Sequence, residues 1–411
     1  MALPLALADL HWLRAETEQI AGEDGPVPVR TDVVIVGGGY VGGATAFWLA
    51  RRGVAAVLVE RRGISTGATG RNAGFIAPGL GMAFAEAAAR YGAGGALERL
   101  AFTRLGRDLA LRLIEELAIE CALEAQGGLT LAASAEEWAG LRASGEALRA
   151  AGAPVEILGR EEIAQHLHVP VPDLFHGALY NPETLLVNPA LLNNAVVRAA
   201  QGLGARVYPH TDVLSLAEEP DGRITVETSR GEVSAGHVVL ATNAWTPLLA
   251  GYFKDRITPV RGQILATEPA PPVFKRAMST NYGYEYWSQR ADGAIVLGGG
   301  RWSVPDRDEG YYAEEINPAV QEALHRFLTA TFPALAGVRV ARRWSGIMGF
   351  SRDGYPFIGP MPGRPRLLVA AGYTGHGGPY FAIAGKCIAE LIVEGRSEVS
   401  IESYALDREL N

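Results

Sequence analysis

Residues 32–60, DVVIVGGGYVGGATAFWLARRGVAAVLVE, constrain the fold more than any other stretch of the chain. Positions 33–36 are a short apolar, β-branched run. Gly37, Gly39 and Gly42 follow in G-x-G-x-x-G spacing, with Tyr40 and Val41 between them, and an apolar run with helical spacing occupies 44–49. The order is therefore strand, tight turn, helix. A second apolar strand at 54–59 ends in Glu60, 23 positions past Gly37. In such a unit the glycines let the backbone approach a pyrophosphate at the helix N-terminus, where free amides and the helix dipole favour negative charge, and the acid hydrogen-bonds a ribose diol. The glycine spacing alone is weak in a chain with 50 glycines, so the flanking strand, helix and acid carry the reading. Both FAD and NAD fit. Glu60 speaks against NADP, although Arg61 and Arg62 follow it directly.

At 411 residues the chain is long enough for two or three domains, each with a full core. A net charge of −8 and the lack of any Lys/Arg-rich run exclude a nucleic-acid footprint. Cys121 and Cys387 are the only cysteines, which makes neither a disulfide framework nor a metal site and suits a reducing cytoplasm. Residues 1–20 lack a basic leader region, and Asp9 and His11 break their apolar start, so they read as an amphipathic lead-in helix. Three uncharged runs, 33–50, 233–253 and 367–385, are each interrupted by Gly, Pro or Asn, and read as strand, loop and helix start rather than membrane spans.

The rest of the chain reads as one or two helices at 83–123, a strand at 129–132, and helices at 135–151 and 189–202. Short strands fill 206–241, with Asp221-Gly222 as a hairpin turn, and 257–301 is strand-rich with Asp292-Gly293 as another. A helix at 318–331, a strand at 367–371 and a helix at 379–393 close the chain, with Gly378 and Pro379 placed as N-cap and first helical residue. Alternating βα elements at both ends around an antiparallel stretch give an α/β (α+β) class: a discontinuous nucleotide-binding domain carrying an inserted antiparallel-sheet substrate domain. The expected division is a lead-in at 1–30, a nucleotide domain at 31–83, 184–256 and 332–411, and a substrate domain at 84–183 and 257–331.

Four segments in this order resemble the FAD-dependent D-amino-acid oxidase superfamily, in its branch of glycine-, sarcosine- and γ-glutamylputrescine-oxidising flavoproteins. They are the 37–60 unit, STGATGRNAGF at 65–75, VVLATNAW at 238–245, and WSGIMGFSRDGYPFIG at 344–359 with AAGYTGHGGPYFAIAGKCIAEL at 370–391. The resemblance implies a Rossmann-like FAD domain of glutathione-reductase type. It implies that Gly37, Gly39, Tyr40, Val41 and Gly42 hold the pyrophosphate, and that Glu60 with Arg61 holds the adenosine side. Thr69, Gly70, Arg71, Asn72, Ala73 and Gly74 would line the pyrophosphate and flavin, and Val213 would meet the adenine. Thr242, Asn243, Trp245 and Gly346 would lie beside the cofactor, and Thr374, Gly375, His376, Gly377 and Gly378 would wrap the pyrimidine edge of its ring.

Departures from the family pattern sharpen the expectation. Gly346 stands where covalent members have Cys, and 61–75 holds no His, so FAD is expected to be dissociable. Met348 stands where glycine oxidase-like members have an Arg for the substrate carboxylate, and Val296 where sarcosine oxidases have a Lys for oxygen. The candidate substrate pocket draws on Tyr282, Tyr284, Tyr286, Trp287, Arg301, Met348, Tyr373 and His376, with strand alternation placing the first three on one face. The implied function is oxidation of the CH–NH bond of an amine or N-substituted amino acid by hydride transfer to flavin N5, then imine hydrolysis. Oxygen or another carrier would accept the electrons, and no metal or nucleic acid takes part. An NAD(P)H-dependent flavin monooxygenase is the alternative, with the glycines at 298–300 as the only other cluster that suggests a nucleotide.

Overall fold

The computed structural model describes residues 10–13 and 19–410. Most of the expected lead-in helix lies outside the described residues, and within it Leu10–Leu13 forms a turn, closed by Leu13 N–H to the Leu10 carbonyl at 3.3 Å.

β1 (Arg30–Val36), α1 (Tyr40–Ala50) and β2 (Ala56–Val59) form the predicted βαβ unit, with β1 and β2 parallel. The first sheet runs in the order Phe357–Met361, Arg364–Ala371, Gly231–Leu240, β1, β2, Arg206–Tyr208. Its central pairs are parallel. Ile224–Thr228 and Val213–Glu218 extend it antiparallel from the first half of Gly231–Leu240. All eleven residues of α1 are buried, because Pro189–Gly202, Phe381–Glu394 and the sheet surround it. A helix covered on every side carries no polar face, which is why its sequence is apolar throughout. The three uncharged runs are accordingly strand–loop–helix units, and among the described residues no helix is long and apolar enough to cross a membrane.

The second sheet has eight strands in the order Val340–Ser351, Ile257–Thr267, Ile295–Gly299, Glu285–Gln289, Ala277–Thr280, Gly128–Ala132, Gly177–Asn181, Glu156–Gly159. It is antiparallel except where Ala277–Thr280 runs parallel to Gly128–Ala132. Val340–Ser351, grouped above with the nucleotide domain, pairs along its length with Ile257–Thr267 in this second sheet. Alternation divides the faces of the sheet. Leu129, Leu131, Leu265, Trp287, Ile295 and Leu297 pack with Val320, Leu324 and Leu328 of the helix Pro318–Thr331. The opposite face carries Ile264, Tyr286, Ser279, Thr130 and Leu179, which line the cavity.

Phe84–Glu116 is one long helix with a break at Gly92 (φ +74°), matching the one or two helices expected there. Phe102, Ala110, Leu113 and Ile114 pack it onto the α1 core.

Candidate functional site

The two sheets enclose one cavity of about 1150 Å³. Its nucleotide-facing end is built by backbone. Gly37 has φ +111°, and a Cβ there would lie 2.6 Å from the Ala241 carbonyl oxygen. A Cβ on Gly42 would lie 1.8 Å from the Gly37 oxygen, so only glycine lets α1 start against the turn. Gly39 caps α1 without a side-chain hydrogen bond, and Thr69 Oγ1 accepts from Tyr40 N–H at 2.9 Å. Glu60 is held by both oxygens: Gly38 N–H donates to one at 2.8 Å and Arg62 N–H to the other at 2.9 Å. That fixes the carboxylate at the end of β2, facing the cavity.

The 65–75 loop is wired internally. Asn72 Nδ2 donates to the Thr69 carbonyl at 2.8 Å, and Gly74 N–H donates to Asn72 Oδ1 at 2.7 Å. Arg71 is buried, and its guanidinium is committed to the protein: Nε to Thr66 O (2.8 Å), Nη1 to Ser345 O (2.8 Å), and Nη2 to Glu314 (3.1 Å). Burial lowers its pKa to about 10, with Glu314 opposing the shift, so it stays charged at neutral pH. Its wiring ties the loop to the second sheet. Asn193, which accompanies Ser65 in bonding the Gly38 carbonyl, and Glu314, which bridges Arg62 and Arg71, belong to no motif that sequence reasoning could find.

Of the predicted cofactor positions, Gly37, Gly39, Tyr40, Val41, Glu60, Arg61, Thr69, Arg71, Asn72, Ala73, Val213, Thr242, Asn243, Trp245, Gly346 and 374–378 all line the cavity. Gly42, Gly70 and Gly74 do not: their Cβ atoms would meet backbone oxygens of Gly37, Ser65 and Val187 at 1.8, 2.2 and 2.3 Å, so they serve packing behind the wall. Arg61 stacks over Trp245 at 4.3 Å. Asn243 Oδ1 accepts from Gly372 N–H at 3.1 Å, joining two of the cavity loops.

In the 372–378 loop, Thr374 and Gly375 have positive φ, and His376 Nδ1 contacts the Thr374 carbonyl at 3.0 Å. A carbonyl only accepts, so Nδ1 carries the proton and Nε2 is left as an acceptor. The ring is exposed to the cavity, and the surrounding protein pushes its pKa below the ordinary imidazole value, desolvation outweighing the bond to Thr374. The following helix begins at Phe381 with Tyr380 as its N-cap, not at Pro379. The turn closed by Tyr380 N–H to the Gly377 carbonyl occupies the expected first residues, and Gly378 is required there because a Cβ would lie 2.2 Å from the Phe75 oxygen.

The other end is built by side chains. Tyr282, Tyr284, Tyr286, Arg301, Met348, Phe350 and Tyr373 line it. Strand alternation does not unite the three tyrosines as expected: the strand begins at Glu285, and Asn281, Tyr282 and Gly283 make a turn with φ of +51°, +55° and +83°. Trp287 is core, fully buried against Phe274, Phe327 and Phe332. The glycines at 298–300 serve packing. A Cβ on Gly298 would lie 2.5 Å from the Tyr286 ring, and Gly299 and Gly300 turn the chain with no helix of nucleotide-binding type behind them. Val296 is fully buried with Trp12, Ile264 and Trp344, away from the cavity.

Arg301 donates to the Arg307 carbonyl at 3.1 Å and lies 5.1 Å over the Phe350 ring, and no ion pair involves it among the described residues. Burial raises the pKa of Tyr286, partly offset by the Arg301 charge, and raises that of Tyr373; both stay neutral phenols.

A parallel βαβ cradle joined to an aromatic pocket by one cavity defines a dinucleotide-dependent enzyme with a second, substrate-facing sheet. The family model described as FAD dependent oxidoreductase matches residues 32–391, and the chain belongs to that family. It is 26% identical over 386 residues to glycine oxidase of Geobacillus kaustophilus, covering 93% of this chain and 98% of the relative. It is 27% identical over 379 residues to gamma-glutamylputrescine oxidoreductase of Escherichia coli, covering 89% and 84%. The crystal structure of the Geobacillus glycine oxidase superposes with a TM-score of 0.81 at 24% identity, over 93% of this chain and all of that one, which establishes the shared fold. The protein is an FAD-dependent oxidoreductase. The start of α1, where the N-cap Gly39 brings no side chain, the glycine cradle and the doubly held Glu60 fit that cofactor.

Proposed function

We propose that the protein oxidises the CH–NH bond of an amine or N-substituted amino acid to an imine, which water then hydrolyses to a carbonyl compound and the smaller amine. The observation that carries this reading is the single cavity in which the glycine cradle opens onto neutral phenols and an arginine without an ion pair. The amides of Gly39 and Val41 hold the pyrophosphate, Glu60 the ribose, and the 68–74 and 374–378 loops the flavin, without a covalent bond, since Gly346 offers no nucleophile. Bound FAD supplies the electron sink that takes a hydride from the carbon beside nitrogen.

Arg301 binds a substrate carboxylate, taking over the place that Met348 leaves without charge. Tyr286 and Tyr373, held neutral by burial, orient the amine without competing for its proton. His376, through Nε2, accepts a hydrogen bond at the cavity wall. The protein thus mainly positions and desolvates, and no strong base is needed.

The packing role of Gly298 and Gly299 favours this reading over a monooxygenase with a second nucleotide site. The test is product identity. Holoenzyme incubated with N-alkyl amino acids and an artificial electron acceptor is expected to release a 2-oxo acid or aldehyde in step with acceptor reduction. The absence of a carbonyl product from every amine would sink the proposal. Acid precipitation is expected to release all the flavin into the supernatant; flavin retained on the pellet would show a covalent link.

A further inference from the structure

The cavity does not end at the aromatic pocket. Directly opposed residues of neighbouring strands face the same side, and a continuous row crosses the second sheet: Tyr286 beside Ser279, Ser279 beside Thr130, Thr130 beside Leu179. All four line the cavity. Three strand spacings carry this floor roughly 14 Å beyond Tyr286. Above it lies the helix Ala135–Ala150, where a Cβ on Gly145 would come within 2.7 Å of Leu179, so the roof sits close on the floor. The walls are Phe84, Leu100, Leu141, Leu148, Val155 and Leu179, most of them in one hydrophobic cluster.

Of the carboxylates on this part of the wall, two are engaged, while Glu86, two residues past Phe84, is exposed. Glu137 accepts from Ala133 N–H at 2.6 Å and Tyr282 N–H at 2.8 Å, and Glu183 is paired bidentately with Arg104. A largely apolar slot open to the cavity, with Glu137 and Glu183 committed elsewhere and Glu86 exposed, selects chiefly by burial of uncharged surface.

We propose that the substrate carries a long apolar substituent, alkyl or aryl, which lies in this annex while its carboxylate meets Arg301. The assignment deepens the amine-oxidation reading and rests on it for the chemistry, but the annex itself is testable by binding alone. Leu148 and Val155 are the specificity-determining residues, since they are walls of the slot and take no part in the reaction.

The experiment follows the visible spectrum of the oxidised holoenzyme while acetate, hexanoate and 6-aminohexanoate are titrated in. Hexanoate is expected to bind at least about tenfold more tightly than acetate, from the added buried methylenes, and 6-aminohexanoate no more tightly than acetate. Leu148→Trp is expected to erase the hexanoate gain and leave acetate unchanged; should that variant lose flavin, Val155→Phe serves the same purpose. Equal binding of hexanoate and acetate would overturn the proposal. Tightest binding by 6-aminohexanoate would also overturn it, and would assign the annex to a distal ammonium held by Glu86. If hexanoate binds as expected but no amine reduces the flavin, the annex stands and the oxidation reading fails. If small amines are oxidised and hexanoate gains nothing, the reverse holds.

Discussion

The two ends of the cavity are made in different ways. At the cradle, Gly37, Gly42, Glu60, Asn72 and Arg71 are fixed by hydrogen bonds or by contacts too close for a side chain. At the pocket, among the described residues, Arg301 has no carboxylate partner and the Tyr373 hydroxyl is buried with no hydrogen-bond partner, and Met348 is a flexible side chain beside Gly375 and Gly262. An end whose walls are fixed in this way suits a cofactor that stays bound. An end with unsatisfied side chains suits a ligand that arrives and leaves, because the ligand completes the bonding there.

The contrast breaks first at Gly42. Gly42→Ala drives a methyl into the Gly37 carbonyl, with an expected loss of roughly 3 kcal/mol of stability and loss of flavin; thermal melting and flavin retention on gel filtration check both. Glu60→Gln places an amide against one of two N–H donors, at a cost of about 2 kcal/mol, and the FAD dissociation constant is expected to rise about 30-fold at unchanged substrate preference. Arg301→Leu should do the converse: kcat/KM for carboxylate-bearing amines falls about tenfold or more, amines without a carboxylate are unaffected, and FAD binding is intact. If Arg301→Leu weakened FAD instead, the two ends would not be separable. The smallest effect is expected at Tyr373. Its raised pKa keeps it protonated in the folded state, so its contribution is lost only as pH rises past the ordinary tyrosine range. Tyr373→Phe should alter stability by under about 0.5 kcal/mol and leave the pH–rate profile unchanged below pH 9.

The same contrast explains what the sequence could reveal. The cradle is legible because a turn at φ +111° and a helix start where any Cβ would fall 1.8 Å from a carbonyl oxygen admit only glycine, so geometry is written as residue type. The 65–75 and 374–378 loops were legible for the same reason. Arg71 lines the cavity, but the partners that hold it, Ser345 and Glu314, lie hundreds of residues away and leave no local signal. The pocket is less legible. Tyr282 and Tyr284 share the alternating pattern with Tyr286, yet three positive φ angles at 281–283 form a turn that propensity does not announce. Trp287 went to the core because the register of Glu285–Gln289 sends odd positions toward Pro318–Thr331. The strand Val340–Ser351 joined the second sheet through pairing with Ile257–Thr267, a contact that only the tertiary fold creates.

The most direct test of the central claim is anaerobic. Flavin absorbance of the purified holoenzyme is followed while N-hexylglycine, sarcosine and NADPH are added separately. The account predicts that N-hexylglycine bleaches the flavin within the mixing or turnover time, sarcosine more slowly, and NADPH not at all. Bleaching by NADPH with none by any amine would contradict it and move the protein to the monooxygenase class.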